Sequence, residues 1–257
     1  MEKRCNICNS TEFKRYKNRG HVKCVKCGSI DRVRLIAMYL DKFVHLKKGM
    51  KVLHLAPEKQ LFKYIAKSVG KGYHPKDIDM EEYGGLNYKG IVVQKFDLCK
   101  DINKLPSNYY DLVIHNHVME HLPCNITIVL WYLHRSLKST GLHIFSVPIL
   151  DGCYEEYFNL EDKKELKRRF GQSDHVRRFG KDDLHTNIGM VFNIEKKINQ
   201  TLADLFTEEE LYRNNIPQAN WHRFTGFNLL ILEKKDIKIA VRNESKLIGL
   251  IKCLFSR

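Results

Sequence analysis

The chain has 257 residues, enough for one medium-sized domain or for a domain with a small appendage. Hydrophobic residues make up 43%, which suffices for a sizeable core, but the longest apolar runs, such as residues 227–232, fall far short of the ~20 residues that span a bilayer. Residues 1–8 contain no apolar stretch of the kind that targets a chain for export, so a soluble, cytoplasmic protein is expected. The net charge of +14 is unevenly placed: residues 1–50 carry +9 and residues 234–257 carry +5, which leaves the middle neutral. Basic ends of this kind suit nucleic acid, anionic lipid or a phosphorylated substrate. They equally suit a solvated lysine-rich surface, because charge alone does not specify a partner.

Residues 29–46 predict a helix, with Val33, Ile36, Leu40 and Phe43 at helical spacing and Ser29 or Asp31 at its start. Strand-like and helical runs then alternate: a strand at 51–55, a helix at 58–69, a short strand ending near Tyr73, and strands at 91–96 and 110–116. A helix at 126–138 and a strand at 141–147 follow. The alternation predicts an α/β fold with a parallel sheet and helices on both faces. Residues 151–180 are polar and basic, break the pattern, and read as an insertion over one edge of the sheet. A helix near 181–187 and strands at 190–198 and within 225–235 complete the chain. The expected organisation is a head at 1–30, a linking helix at 31–48, a main domain at 49–235 and a basic tail at 236–257. The tail has an apolar face that suits a membrane, a partner or packing on the core.

Cys5, Cys8, Cys24 and Cys27 form a C-x2-C-x15-C-x2-C pattern. Two such knuckles bring four thiolates around one Zn²⁺, whereas two-residue spacing is poor geometry for a structural disulfide. A closed four-thiolate site leaves no open coordination position, so its role is expected to be structural. Cys99, Cys124, Cys153 and Cys253 lie apart, show no ligand spacing and read as reduced core or surface residues.

Five segments in this order, "CNIC…CVKCGSIDRVRLIAMYL", "VLHLAPE", "YDLVIHNHVMEHLP", "LHRSLKSTGLHIFSVPI" and "FGQSDHVRRFG", carry a resemblance over roughly residues 4–233. The chain resembles a class I S-adenosylmethionine-dependent methyltransferase, methyltransferase type 11-like, of the subgroup with an N-terminal zinc ribbon. The resemblance implies a Rossmann-like, seven-stranded, mostly parallel sheet whose last strand is antiparallel, with the cofactor across the carboxyl ends of the first four strands. It implies cofactor contacts at Leu55, Ala56, Pro57 and Glu58 for the methionine part. Asp77, with Asp79 in reserve, would meet the ribose, Asp97 and Leu98 the adenine, and Asn116 and His117 the sulfonium. For both aspartates the bland alternative is a solvated turn residue.

Methyl transfer from a sulfonium is an in-line displacement in which the protein positions two groups and removes a proton. A histidine is the usual base near neutral pH, and His117 and His175 are the candidates. Asp174, His175 and Arg177 lie on the segment that breaks the sheet pattern and are the candidate substrate-binding residues. Arg177 suits a phosphate or carboxylate. Glu120 and His121 follow one turn after His117, and His121 reads equally as a packing residue. The first loop departs from the family pattern: His54, Ala56, Glu58 and Gln60 replace its usual acid and glycines, and Pro57 removes a backbone donor. Ala56 is therefore expected as the close-approach residue.

The function expected is methyl transfer to an oxygen or nitrogen acceptor on a small-molecule or glycan-like substrate. One alternative is an RNA-binding protein or RNA methyltransferase using the zinc ribbon and basic ends, with Phe13, Tyr16, Arg19 and His21 as a basic and aromatic patch. A second is a metallohydrolase built on the spaced histidines from His115 to His121, which the surrounding motifs fit less well.

Overall fold

The structure is a computed structural model that describes residues 1–17 and 19–239. Most of the predicted basic tail therefore lies outside the described residues, as does Cys253. In chain order the head contributes β1 (Phe13–Lys14), β2 (Lys23–Cys24) and α1 (Asp31–Tyr39). Then come β3 (Val52–Leu55), α2 (Lys59–Val69), β4 (Tyr73–Asp77), β5 (Asn87–Tyr88), β6 (Ile91–Val92), β7 (Gln94–Lys95), β8 (Tyr110–Asn116), α3 (Ile126–Arg135) and β9 (Leu137–Ser146). The remainder is β10 (Ile149–Leu150), β11 (Glu155–Glu156), α4 (Lys163–Phe170), β12 (Arg177–Gly180), α5 (Leu184–Val191), α6 (Leu202–Leu205), α7 (Glu208–Arg213) and β13 (Leu230–Glu233).

The main sheet has the order β13-β9-β8-β3-β4-β7, parallel throughout except for β13, which runs antiparallel to β9. Alternation along the strands divides two apolar layers. Val52, Leu112, Ile114, Ile144 and Ile231 face one layer with α1 and α2. Leu53, Leu55, Val113, Phe145, Leu230 and Leu232 face the other with α3 and α5. A period of two with both faces buried is what a central parallel sheet requires. Chain order reverses between β3 and β8, which makes their carboxyl ends the switch point of the sheet.

Three expectations need correction. The sheet has six strands among the described residues, not seven, because residues 190–198 do not form a strand. Helix α5 runs through Val191, and beyond it Phe192 makes only an isolated bridge with Ile237. Phe192 and Ile194 are buried in the layer beneath the sheet, so the alternation in that window reflects packing rather than strand pairing. Second, β4 begins at Tyr73 instead of ending there, because the turn Gly70–Gly72 closes α2 just before it. Pro75 is tolerated within β4 because β7 pairs only with Lys76 and Asp77. Third, the strand expected at 91–96 is divided, with β6 pairing to β5 and only β7 joining the main sheet. All but one residue of α1 is buried, and the Arg34 guanidinium donates to the carbonyls of Ser29, Asn214 and Asn215.

The pattern-breaking segment 151–180 forms a three-stranded sheet, β10-β12-β11, with α4 beside it. Asp162 caps α4 by accepting from the Glu165 N–H, and Gly171 ends it at φ 80°. No helix among the described residues is long and apolar enough to cross a membrane.

Candidate functional site

A cavity of about 660 Å³ opens at the carboxyl ends of β3, β4 and β8. Each wall follows from how one strand ends. After β3, Ala56 takes φ 48° and donates its N–H to the Lys76 carbonyl at 3.2 Å. Left-handed backbone costs a non-glycine residue about 1 kcal/mol, so this turn is held by its surroundings. After β8, His117 adopts the same region at φ 51° and donates its N–H to the Ser146 carbonyl at 2.9 Å. Both residues line the cavity.

Two carboxylates come from neighbouring segments. Asp77 ends β4, and its Oδ1 accepts from the Asp79 N–H at 2.7 Å. Burial, together with the charges of Asp79 and Glu82, pushes the Asp77 carboxyl above its usual range. Asp79 lines the same cavity, but its Oδ1 is engaged in capping the turn through the N–H groups of Glu81 and Glu82. Asp97 Oδ1 accepts from the Cys99 N–H at 2.8 Å, and its carboxylate lies 3.8 Å from Lys100 Nζ. The Phe96 N–H donates to the Asp77 carbonyl at 2.8 Å, which ties the two acidic loops together. Phe96, Leu98 and Val118 supply apolar wall.

Behind His117 lies a polar cluster. His117 Nδ1 is 2.9 Å from Glu120 Oε1, and Glu120 is 0% exposed. The turn Met119–His121 brings His121 onto the cavity wall, where its Nδ1 lies 3.3 Å from Asp174 Oδ2. The His121 and His175 rings meet edge to face at 4.7 Å. Burial lowers the His175 pKa below the ordinary imidazole value. The Val176 N–H donates to the Glu120 carbonyl at 2.9 Å, so the two segments are joined through their backbones.

The expected site residues fall into two groups. Leu55, Ala56, Asp77, Asp97, Leu98, His117 and Asp174 line the cavity. Pro57, Glu58, Asn116, His175 and Arg177 lie outside its wall. Glu58 Oε2 pairs with His54 Nε2 at 3.4 Å beneath the first loop. Asn116 is buried; its Oδ1 accepts from Ser146 Oγ at 3.2 Å, while its Nδ2 finds no partner among the described residues. Arg177, expected to face a substrate, is 0% exposed and donates to the carbonyls of Met119 at 2.7 Å and Cys124 at 2.9 Å, so its guanidinium serves as an internal clamp.

Sequence reasoning gave Glu120 no role, although a carboxylate flanked by His117 and His121 was a visible signal. It also read Cys99 and Cys124 as reduced. The structure pairs them in a disulfide with Cα atoms 5.8 Å apart, joining the loop after Asp97 to the loop before α3. Neither spacing nor motif announces a pairing across 25 residues.

In the head, Cys5 and Cys27 sulfurs lie 3.7 Å apart and Cys8 and Cys24 sulfurs 3.5 Å apart. All four lie within 4.8 Å of one another. Each knuckle ends on a left-handed residue, Asn9 at φ 62° and Gly28 at φ 78°, which turns the chain back toward its own sulfurs. A larger, open cavity of about 800 Å³ lies between this head and α2, lined by Lys26, Lys59, Lys63 and Lys67 among others.

No family model matches the chain, and no curated protein matches it. Solved structures do. A SAM-dependent methyltransferase from Archaeoglobus fulgidus is 19% identical over 77% of this chain and 92% of its own, at a TM-score of 0.46. An S-adenosylmethionine-dependent methyltransferase from Mesorhizobium loti is 16% identical over 72% and 90%, at 0.44. Coclaurine N-methyltransferase bound to N-methylheliamine and SAH is 14% identical over 72% and 52%, at 0.43. The strand order carries the fold assignment without them: the chain has a Rossmann-like, mostly parallel sheet closed by an antiparallel strand, with a four-cysteine head packed against it.

Proposed function

We propose that the cavity binds S-adenosylmethionine and that the protein moves its methyl group to an oxygen or nitrogen acceptor on a small-molecule or glycan-like substrate. The observation that carries this reading is the pair of carboxylates, Asp77 and Asp97, on successive loops at the switch point with Phe96 and Leu98 beside them. A carboxylate at the end of the second strand of such a sheet suits ribose hydroxyls, and an apolar slot suits an adenine ring.

The cofactor supplies an electrophilic methyl group, so the residues of this chain have two tasks: to hold the reacting groups in line and to take up the acceptor's proton. With S-adenosylmethionine bound, the acceptor would take the methyl group while sulfur kept the bonding pair, and His117 would receive the acceptor's proton. His117 is the better-situated base of the two candidates, because it faces the cavity while Glu120 anchors its Nδ1. His175 sits behind that wall.

The four cysteines fit Zn²⁺. Thiolates about 2.3 Å from a tetrahedral ion stand roughly 3.8 Å apart, close to the observed pairs. All four positions would then be filled by sulfur, which leaves the ion a structural role.

Calorimetric titration with S-adenosylhomocysteine tests the proposal. One equivalent should bind per chain, and Asp77→Asn and Asp97→Asn should each weaken binding about tenfold, the loss of one charged hydrogen bond of about 1.4 kcal/mol. Absence of binding to the unaltered chain removes the reading.

A further inference from the structure

Glu120 poses a question that methyl transfer by itself does not answer. It is a fully buried carboxylate whose two oxygens lack a hydrogen bond of good geometry. His117 Nδ1 lies 2.9 Å from its Oε1. An isolated buried carboxylate is costly, and such groups are normally paired or bound to a metal. The groups nearest to it are imidazoles. Ligand atoms of Glu120, His121 and His175 all lie within 4.8 Å of one another. His175 is 6% exposed and His121 is partly open to the cavity.

We propose that Glu120, His121 and His175 form a binding site for one divalent transition-metal cation at the edge of the methyl-transfer cavity. Two imidazoles and one carboxylate are a donor set suited to such ions, and three protein ligands leave coordination positions open. This separates the site from the closed thiolate cluster in the head. The surrounding structure is built to hold the three ligands together. Arg177 holds the Met119 and Cys124 carbonyls, on either side of Glu120 and His121, while His175 lies two residues before it, just ahead of β12. The Val176–Glu120 backbone bond fixes the register of the two segments. Asp174 anchors the His121 ring at Nδ1, and His117 takes the second carboxylate oxygen, as outer partners of metal ligands commonly do.

The consequence for substrate choice rests on the methyltransferase reading. A cation beside His121 faces the same cavity as His117 and favours an acceptor that presents a hydroxyl. Its charge lowers the pKa of that hydroxyl, and His117 receives the proton as the methyl–oxygen bond forms. The acceptor class is therefore an alcohol or phenol instead of an amine.

The test uses the full chain with zinc on its cysteine cluster. Mn²⁺ and Co²⁺ are titrated separately, with free Mn²⁺ followed by electron paramagnetic resonance and Co²⁺ by its visible absorption, and Zn²⁺ is counted by elemental analysis. One equivalent of at least one of these ions is expected beyond the thiolate-bound one, with a matching rise in Tm. Removing a ligand should exceed the 10- to 100-fold loss typical of outer-shell changes, so Glu120→Gln and His121→Ala should each weaken binding more than about 100-fold. His121 is partly exposed, so His121→Ala keeps the test valid if Glu120→Gln fails to fold. No saturable binding of any of the three ions by the unaltered chain, or unchanged binding by folded His121→Ala, overturns the site. These measurements need no cofactor, so their failure is distinct from a failure to bind S-adenosylhomocysteine.

Discussion

His115, His134 and His143 lie inside the fold, where an imidazole is sheltered from water. His115 Nε2 is 2.9 Å from His143 Nε2, a contact that requires one neutral ring to donate to the other. Burial pushes His115 down to about 3 and His134 to about 4, and holds His143 well below its ordinary 6.5. In the unfolded chain these groups protonate near 6.5, whereas in the folded chain they stay neutral. Their stability is therefore fully present above pH 6.5 and is lost as the pH falls toward the folded values. Each contributes a slope of about 1.4 kcal/mol per pH unit in that window. Urea unfolding at pH 7.0, 6.0 and 5.0 should show a falling midpoint before most carboxylates titrate; a flat profile would contradict the buried neutral rings. Ala56 and His117 illustrate a different residue-scale feature. The sequence named both as site residues, but only the backbone shows that each is held in a left-handed turn at the end of a neighbouring strand.

The segment 151–180 shows at the scale of elements why composition misled. Its arginines suggested a surface that meets substrate, yet Arg177 is folded inward because β12 pairs between β10 and β11 and carries its side chain under the Met119–His121 turn. Arg177→Met should cost about 3 kcal/mol, since it strands one buried and one partly buried carbonyl acceptor. Urea denaturation reads this directly, and a loss below about 1 kcal/mol would mean that the clamp is idle. The Cys99–Cys124 disulfide and Arg177 act on the same loop. One ties it to the loop after Asp97 and the other to β12. The loop that carries Glu120 and His121 is thus fixed from both sides of the cavity.

For the molecule as a whole, the four-cysteine head is tied to the main domain by several hydrogen bonds. The Arg4 N–H donates to the Arg213 carbonyl, Asn215 Nδ2 donates to the His21 carbonyl, and Arg34 joins the head to the segment after α7. Loss of a metal proposed for the four cysteines should therefore propagate. Cys5→Ser should lower the stability of the entire chain by about 3 kcal/mol or more, which corresponds to roughly 10 °C in Tm, within one cooperative transition. Two separate transitions in a thermal scan would instead make the head an independent unit.

The sequence by itself located β3, β8, β9 and β13 of the central sheet, because their short apolar runs are buried on both faces. It determined the two knuckles, because their spacing is local, and the family resemblance it carries pointed to Asp77, Asp97 and His117. The tertiary structure decided what meets across distance. The meeting of Glu120 with His175, the pairing of Cys99 with Cys124, the inward turn of Arg177 and the absence of a strand at 190–198 all depend on which backbones come together. Periodicity encodes the face a residue presents. It does not encode the partner across the fold, which is set only when separate elements pack and their buried polar groups compete for the same few neighbours.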